Sequence, residues 1–295
     1  MVQGPTTTGS LADSQETIIA DARMRRQDGT IMVNVVDNVK LKKNTGLSYN
    51  EIVTEDLDAQ DIDENTVLEN FQQYVDVILT ITPTIIGLAT FVTDKARNRL
   101  SSETLGQLGK QPQNAIEERK DKDGIAILDT LSGRSIAGAG TTLTQGHISA
   151  HEAQNSVGGG NEPWTGPQVF VGHSYQIKDL TDELKQGIDT YPTPRGITED
   201  VFRKGFEGMV SGVVVKMDNN ITIDSADDAK GGCFARGKGG AIILVQGHSP
   251  RMATERDEFR GGGGEKFVMY DEYKYGLRQT NWGGEVYSDA TAPTS

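Results

Sequence analysis

The sequence predicts an α+β fold, in which a projecting β-hairpin and a long helix accompany a compact module of alternating strands and helices. Glycine accounts for 35 of the 295 residues, above its average share of roughly 7%, and this favours many turns. Windows rich in β-branched residues predict strands, and capping residues placed before apolar periodicity predict helices. The length allows about two domain-sized units.

Charge and cysteine content exclude several classes of protein. The chain carries 29 Lys and Arg against 42 Asp and Glu, a formal net charge of -13, which disfavours a DNA-binding module and attachment to an anionic membrane. Cys233 is the single cysteine, so an internal disulfide and a cysteine metal cage are excluded. We expect it to be a small buried side chain in a reducing, cytoplasmic setting.

No export segment or membrane-spanning helix is expected. The first residues, MVQGPTTTGSLADSQE, lack the basic start and the apolar centre of a secretory signal. The most apolar window, residues 75–92, is interrupted by Asp76, Pro83 and four threonines. Its β-branched composition predicts strands rather than a membrane helix.

The first 80 residues predict an arm and a projecting hairpin. Residues 1–44 form a polar arm that ends in the strand-like TIMVNVVDNVKLK. Residues 45–80 predict a long β-hairpin with an acidic tip, since EDLDAQDIDEN is flanked by strand-like LSYNEIV and QQYVDVILTIT. Between Asn44 and Thr93 there are nine acids and no Lys or Arg. Two strands alone are marginal in water, so we expect the hairpin to lie on another surface.

Helical features follow Thr93, which is placed to cap a helix. Gly106, Gly109 and Pro112 predict a bent or two-part helix that ends near Gly133. Beyond it, TTLTQGHISAHEAQNS and SYQIKDLTDELKQG predict helices, while QVFVGHSY, GMVSGVVVKMDNNIT and GGAIILVQG predict strands. This alternation indicates an α/β module, and strands are expected again after it.

Two glycine-rich segments predict turns. Neither GGCFARGKGG, from Gly231, nor GGGG, from Gly261, is followed by the capped helix that a phosphate-binding loop needs. The four glycines from Gly261 to Gly264 are expected to join two strands, with the aromatic residues after them packing on the last strands. No nucleotide or other cofactor is therefore expected.

Two patterns approach metal-binding motifs without completing them. His147 and His151 have the i, i+4 spacing of zinc ligands, but Ile148 stands where H-E-x-x-H requires glutamate. With His173, they keep a metal-dependent hydrolase open as a lesser alternative. Asp61 and the residues after it match positions 1, 3 and 5 of an EF-hand loop but lack its glycine and its final glutamate. Weak cation binding at the hairpin tip stays open.

Four stretches carry a resemblance to a known family: LTITPTIIGLATFVTDKARNRLSS, NAIEERKDKDGIAILDTLSG, QVFVGHSYQIKDL and YKYGLRQTNWGGEVYSDATAP. In this order they resemble the major capsid proteins of tailed bacteriophages, which have the Hong Kong 97-type capsid fold. The first is similar to the passage from the return strand of the hairpin into the helical region. The others resemble the end of the spine helix, a strand and helix of the axial domain, and the closing strand of the peripheral domain.

The resemblance implies a division of the chain and a function. Residues 1–44 would be the N-terminal arm and first strand, and 45–80 the extended loop. Residues 81–135 and 246–295 would be the peripheral domain with its spine helix, and 136–245 the axial domain. The implied function is structural rather than enzymatic: self-assembly into pentamers and hexamers of an icosahedral virion shell around double-stranded DNA. An encapsulin-type protein nanocompartment, which shares the fold, is the alternative.

The resemblance also bears on partners. Scaffolding, portal and decoration proteins would be partners beside the chain itself, the enclosed DNA would not be bound sequence-specifically, and assembly would take place in the host cytoplasm. Some family members cross-link subunits through a loop lysine, and because this loop has none, we expect a non-covalent shell.

Charge patterning suggests which residues meet between subunits. We hypothesise that the acidic loop of one subunit crosses the basic arm or spine of its neighbour. The acids are Glu51, Glu55, Asp56, Asp58, Asp61, Asp63 and Glu64, and the bases are Arg23, Arg25, Arg26, Lys42, Lys43, Arg97 and Arg99.

Overall fold

The computed structural model describes residues 30–42, 46–54, 57, 59, 61, 71–99, 102–160, 162–187 and 208–294. The described helices are α1 (Met32–Val35), α2 (Asp94–Arg97), α3 (Ser102–Leu128), α4 (Gln145–Val157) and α5 (Ser174–Gly187). The described strands are β1 (Asp37–Lys40), β2 (Tyr49–Thr54), β3 (Asp76–Ile81), β4 (Thr84–Thr93), β5 (Ile136–Ala137), β6 (Gln168–Gly172), β7 (Met209–Val210), β8 (Val213–Met217), β9 (Asp228–Ala235), β10 (Ile242–Gln246), β11 (Arg251–Asp257), β12 (Gly264–Leu277) and β13 (Gly283–Asp289).

The first sheet has five strands, and the long strand β12 is at its centre. β1 runs parallel to β10, β10 pairs antiparallel with β12, and β4 and β11 pair with β12 on its two sides. Met269, Asp271, Tyr273 and Tyr275 of β12 are buried, one residue in two. This period of two places one face of the strand against the interior.

The second sheet has six strands in the order β5-β13-β9-β6-β8-β7. All five residues of β6 are buried, including Gln168, and the buried strand predicted from QVFVGHSY is confirmed. Ile148 of α4 and Leu180 of α5 pack with Phe170 and Val213 in the core of this sheet. Cys233 lies in the same cluster and is fully buried, which confirms the prediction of a small buried side chain.

The long helix α3 connects the two sheets. Leu128 near its end packs in one continuous core with Phe234 of β9 and with Ile242 and Tyr275 of the first sheet. Met32 of the short helix α1 belongs to the same core. The two sheets are therefore joined by shared apolar packing, with α3 along their junction.

Several local predictions are confirmed. Thr93 caps α2, because its hydroxyl oxygen accepts the N–H of Ala96 at 3.2 Å. α4 begins after Thr144 and α5 occupies the second predicted helical stretch. β2 and β3 form the predicted antiparallel hairpin, from Tyr49 opposite Ile81 to Thr54 opposite Asp76. In the described part of the chain, no helix is long and apolar enough to cross a bilayer.

A bent or two-part helix was predicted from Gly106, Gly109 and Pro112; the two-part form is wrong, and the bend stays a prediction. α3 is one helix of 27 residues that runs through all three positions, and the interruption lies earlier, between α2 and α3. Glycine costs a helix about 1 kcal/mol and proline about 3 kcal/mol. Burial of Ile116 and Leu128 on the inner face of the helix offsets these costs.

The segment from Thr30 was predicted as strand throughout, but α1 precedes β1. The reason is a tertiary cap, because the buried carboxylate of Asp121 accepts the N–H groups of Ile31 and Met32 at 2.8 and 2.9 Å. Free N–H groups at a helix start need such acceptors. No local sequence pattern shows that an acceptor 90 residues away supplies them.

The segment GGCFARGKGG is only partly a turn. Gly231 and Gly232 lie inside β9, and the turn comes later, at Gly237 and Gly239, both with positive φ. A Cβ atom at Gly231 would stand 2.5 Å from the backbone oxygen of Val171. Glycine here permits close packing of β9 on β6 and is not a sign of chain reversal.

The grouping of two strands also differs from expectation. β10 was predicted within the α/β module but pairs with β1 and β12 in the first sheet. β13 was grouped with the closing residues 246–295 but pairs with β9 in the second sheet. The chain crosses between sheets after β9 and again after β12, and strand pairing of this kind depends on contacts far apart in sequence. The domain boundaries themselves stay a prediction.

Candidate subunit-contact surfaces

Among the described residues, the hairpin of β2 and β3 joins a core cluster only at its base. Ile81 is buried and packs against Ile243 and Val245 of β10, with Tyr49 and Leu79 partly buried beside them. Residues further along the hairpin do not belong to a described core cluster. The base is therefore part of the first sheet's packing, while the rest of the ribbon projects from it.

The projecting part of the hairpin exposes apolar side chains on both faces. Val77 and Ile78 are 56% and 57% exposed, and because consecutive residues of a strand point to opposite faces, neither face is covered. Ile52 of β2 is 62% exposed, and towards the tip Tyr74 and Phe71 are more exposed still. Exposed apolar surface of this kind is typical of an interaction site.

Arg278 fixes the base of the hairpin to the sheet. Its side chain is nearly buried, and its Nε donates to both carboxylate oxygens of Glu51 at 2.8 and 3.0 Å. Its Nη2 donates to Asp37 at 3.0 Å, and its Nη1 donates to the carbonyl oxygen of Gly240. A guanidinium that binds two carboxylates in this way sets the direction of the hairpin as it leaves the sheet.

Arg278 was not among the predicted contact residues. It follows a strand with ordinary alternation, and no motif marks it. Glu51 was placed among the residues that contact a neighbouring subunit, and its described ion pair is made within the chain, to Arg278. Its part in any contact between subunits stays a prediction.

The predicted basic residues are only partly described. Arg97, in α2, forms an exposed ion pair with Glu265 of β12 at 2.8 Å. Arg99 follows α2 and is exposed, and Lys42 follows β1. The structure places these bases on the body of the subunit, while Asp61 lies exposed in the hairpin loop. The predicted residues that fall outside the described part of the chain are Arg23, Arg25, Arg26, Lys43, Glu55, Asp56, Asp58, Asp63 and Glu64.

A second hairpin, formed by β11 and β12, confirms the predicted turn at the four glycines. Gly261, Gly262 and Gly263 have positive φ values of 59°, 83° and 95°, and Gly264 is the first residue of β12. Phe259, at the same end, is fully exposed. β11 is an edge strand with exposed residues along most of its length, so its free edge is available for pairing with another strand.

The aromatic residues that follow the glycines divide between core and surface. Tyr273 and Tyr275 are buried and meet edge to face at 6.1 Å between ring centroids, while Tyr270 is 39% exposed. Trp282 packs against Trp164 at 5.0 Å. Packing on the last strands is therefore confirmed for Tyr273 and Tyr275, whereas the ring contact of Trp282 is to a loop residue.

The three candidate metal-ligating histidines make structural contacts. His147 Nδ1 accepts the N–H of Thr144 and completes a capping box on α4. His151 is fully buried, with Nε2 3.1 Å from the carbonyl oxygen of Glu285. His173 Nδ1 accepts the N–H of Tyr175. Within the ranges that the structure describes, no three His, Cys, Asp or Glu residues are grouped as metal ligands would be.

Solved structures match this architecture over nearly its whole length. The capsid protein of the cyanophage P-SCSP1u has a TM-score of 0.70 at 12% identity, covering 94% of this chain and 93% of that one. A structure from Mycobacterium phage Che8 has a TM-score of 0.68 at 14% identity, covering 94% and 97%. This is the Hong Kong 97-type capsid fold. No family model and no curated protein sequence matches the chain.

Matching structures include an encapsulin as well as phage capsids. The encapsulin of Synechococcus elongatus PCC 7942, SrpI, matches with a TM-score of 0.65 at 11% identity, covering 97% of both chains. At such identities the comparisons show the fold and leave the contents of any shell open. In this fold the β2 and β3 hairpin is the extended loop and α3 is the spine helix, as the resemblance implied.

Proposed function

We propose that this protein is the major capsid protein of a tailed bacteriophage, with a structural rather than a catalytic role. Its copies would assemble into pentamers and hexamers of an icosahedral shell around double-stranded DNA, formed in the host cytoplasm and retained in the virion. The observation that carries the proposal is the extended loop of this capsid fold. It exposes the apolar side chains of Ile52, Val77 and Ile78, which a contact between subunits would bury. Full burial of each such side chain would stabilise the contact by about 2 kcal/mol.

The charge of the chain supports an enclosed genome. A net charge of -13 weakens attraction to phosphates, so packaged DNA would not be held by the wall that encloses it. The acidic loop needs a basic surface on a neighbour, and Lys42, Arg97 and Arg99 are the described members of the predicted set. Scaffolding, portal and decoration proteins would be further partners.

Electron microscopy of the purified protein tests the proposal, with sedimentation to measure the fraction assembled. We expect closed icosahedral particles from the wild-type chain, or from cells that also supply a scaffold. Ile52→Asp combined with Ile78→Asp should leave a folded subunit that does not assemble, because these side chains contribute little inside the subunit. Val157→Asp is the matched control, since Val157 is 60% exposed on α4, away from the loop.

A protein nanocompartment is the second candidate, favoured by the match to the SrpI encapsulin. The contents of particles from the natural source separate the two functions. Nuclease-protected double-stranded DNA supports the capsid, and a packaged protein without DNA supports the nanocompartment. An assembled loop double variant would contradict both, because both require the extended loop at a subunit contact.

A further inference from the structure

β11 has one edge that no described strand covers. In the described part of the chain it pairs with β12 alone, from Arg251 opposite Tyr270 to Asp257 opposite Gly264. Its residues are exposed except for Asp257, which is partly buried. Such an edge leaves backbone N–H and C=O groups open to pairing with another chain. The side chains of β11 then decide which strand fits, because directly opposite residues contact each other.

The charges of β11 fit an antiparallel copy of the same strand. With Thr254 opposite itself, the pairs are Arg251 with Asp257, Met252 with Arg256, and Ala253 with Glu255. Each pair occurs twice, once on either side of the twofold axis, so a pair of Arg251 with Asp257 closes each end of the contact. No two like charges stand directly opposite each other, and opposite charges in such positions stabilise a strand pair.

Neighbouring registers are less favourable. A pair centred on Glu255 places this carboxylate opposite its own copy, and like charges directly opposite each other destabilise a sheet. A pair centred on Ala253 places Arg256 opposite Pro250, which has no N–H for the ladder. The register centred on Thr254 is therefore the one that the sequence of β11 favours.

Arg251 and Asp257 are both available for this contact. The guanidinium carbon of Arg251 lies 5.9 Å from the ring centroid of Tyr270, and within the described ranges Arg251 is in no salt bridge. Asp257 accepts the N–H of Phe259 through Oδ1, and its Oδ2 stands 3.6 Å from Arg260. A guanidinium from a second copy therefore meets a carboxylate oxygen without displacing a close ion pair.

A pocket at the start of β11 and an exposed aromatic ring beyond its end agree with this register. The pocket has a volume of about 270 Å³, and its lining includes Ile85, His248, Ser249, Arg251, Tyr270 and Glu272. Ile85 is 72% exposed, so the apolar side of the pocket has no cover within the described chain. Phe259, beyond the end of β11, is fully exposed.

The twofold axis at Thr254 relates these two features. Phe259 stands five positions after Thr254, and Ser249 stands five positions before it. Antiparallel pairing about Thr254 therefore brings Phe259 of each copy beside the pocket of the other. Aromatic side chains seated in pockets commonly carry much of the binding energy of an interface.

We propose that two copies of this chain associate through β11, antiparallel about Thr254, with Phe259 of each copy in the pocket of the other. The first sheets of the two copies join into one continuous sheet. Backbone hydrogen bonds along β11 supply affinity, and the pocket and the end charges fix the register. This contact is separate from the extended loop, on which the proposed function depends, and so it goes beyond that function.

Disulfide trapping in the full-length chain tests the contact. In Thr254→Cys, two copies paired in this register carry the new thiols directly opposite each other, with Cα atoms about 5 Å apart, within the range of a disulfide. Cys233 does not interfere, since it is buried and burial raises the pKa of its thiol. After oxidation with copper phenanthroline, we expect a covalent dimer on a non-reducing gel.

Ala253→Cys is the matched control, because Ala253 is the adjacent residue of β11 and is also exposed. In the proposed register the two Ala253 residues are offset by about 7 Å along the strands, too far for a disulfide. We expect at least tenfold more dimer from Thr254→Cys than from Ala253→Cys. Equal yields, more dimer from Ala253→Cys, or no dimer from Thr254→Cys would each overturn the proposal.

Two further changes in the Thr254→Cys background test the ends of the contact. Arg251→Glu should lower the dimer yield at least fivefold, since it places two acids opposite each other, whereas Arg251→Lys keeps the charge and most of the yield. Phe259→Ser should lower the yield at least threefold, because the pocket then stays empty. An unchanged yield in either Arg251→Glu or Phe259→Ser would contradict the proposed pairing.

Trapping in the variant that combines Ile52→Asp with Ile78→Asp separates this contact from shell assembly. That variant is expected to stay unassembled, and with Thr254→Cys added it should still give the dimer, because β11 is unchanged. Absence of the dimer there would overturn β11 pairing as an independent contact. Shells from the wild-type chain without a dimer from Thr254→Cys would overturn the β11 contact and leave the proposed function in place. A dimer without shells, even when a scaffold is supplied, would do the reverse.

Discussion

Buried charged residues connect parts of this chain that lie far apart in sequence. Arg278 joins Asp37 and Glu51, and Lys120 of the spine helix lies 2.6 Å from Asp271 of β12, with both side chains buried. Removal of one partner of such a pair commonly costs about 3–5 kcal/mol, because the other charge is left buried alone. These pairs fix the orientation of the extended loop and of the spine helix on the first sheet.

His151 makes the folded subunit sensitive to acid. Burial lowers the pKa of this imidazole from 6.5 to about 4, aided by the charges of His147 and Arg134 and opposed by the hydrogen bond to Glu285. Folding depresses the pKa of His151. Its contribution to the free energy of unfolding is therefore fully present above pH 6.5 and is lost as the pH falls towards 4. We expect His151→Gln to remove on the order of 2 kcal/mol of the stability difference between pH 7 and pH 5.

Urea unfolding of the unassembled subunit at a series of pH values measures this effect. His248→Gln is the control, because it replaces a histidine that is exposed on the surface. If His151→Gln loses as much stability between pH 7 and pH 5 as the wild type does, His151 does not titrate as the geometry requires.

At the scale of elements, the second hairpin depends on glycine for two different reasons. Gly262 has φ +83° with open space around its Cβ position, whereas a Cβ atom at Gly264 would stand 2.6 Å from the backbone oxygen of Val92. We expect Gly262→Ala to cost about 1 kcal/mol through its backbone conformation. Gly264→Ala should cost about 2–3 kcal/mol, because β4 has to move away from β12.

Hydrogen exchange of the β11 and β12 amides, together with urea unfolding, separates the two effects. Gly264→Ala should raise exchange in β4 as well, since Gly264 pairs with Thr93, while Gly262→Ala should affect the turn alone. Equal losses of stability in the two variants would argue against close contact at Gly264.

Local elements of this fold were largely predictable, and the contacts that orient them were not. The buried strand β6, the capped helix α4 and the glycine turn follow from short patterns. The extended loop was predicted to be a contact surface because of its acids. That Ile52 and Ile78 are also exposed follows from the structure, in which the described core contacts stop at the base of the loop.

At the scale of the whole molecule, the acidic loop has consequences for assembly. We expect Asp56→Lys, Asp58→Lys and Asp61→Lys together to prevent shell formation or to make it strongly dependent on salt, since like charges would then face the basic surface of a neighbour. Electron microscopy and sedimentation at low and high salt provide the measurement. The matched control replaces the same three residues with Glu, which keeps the charge. Normal, salt-independent shells from the lysine variant would contradict the proposed contact.

The sequence alone determined the local elements and the distribution of charge, because a helix cap, a period of two and an acidic window each depend on residues within a few positions of one another. Only the tertiary structure decided which sheet receives β10 and β13, which carboxylate caps α1, and which arginine holds the extended loop. Arg278 and Asp37 lie 241 positions apart, and no local pattern relates them. Such partners are selected by the packing of the whole chain, which brings distant residues together in a shared core.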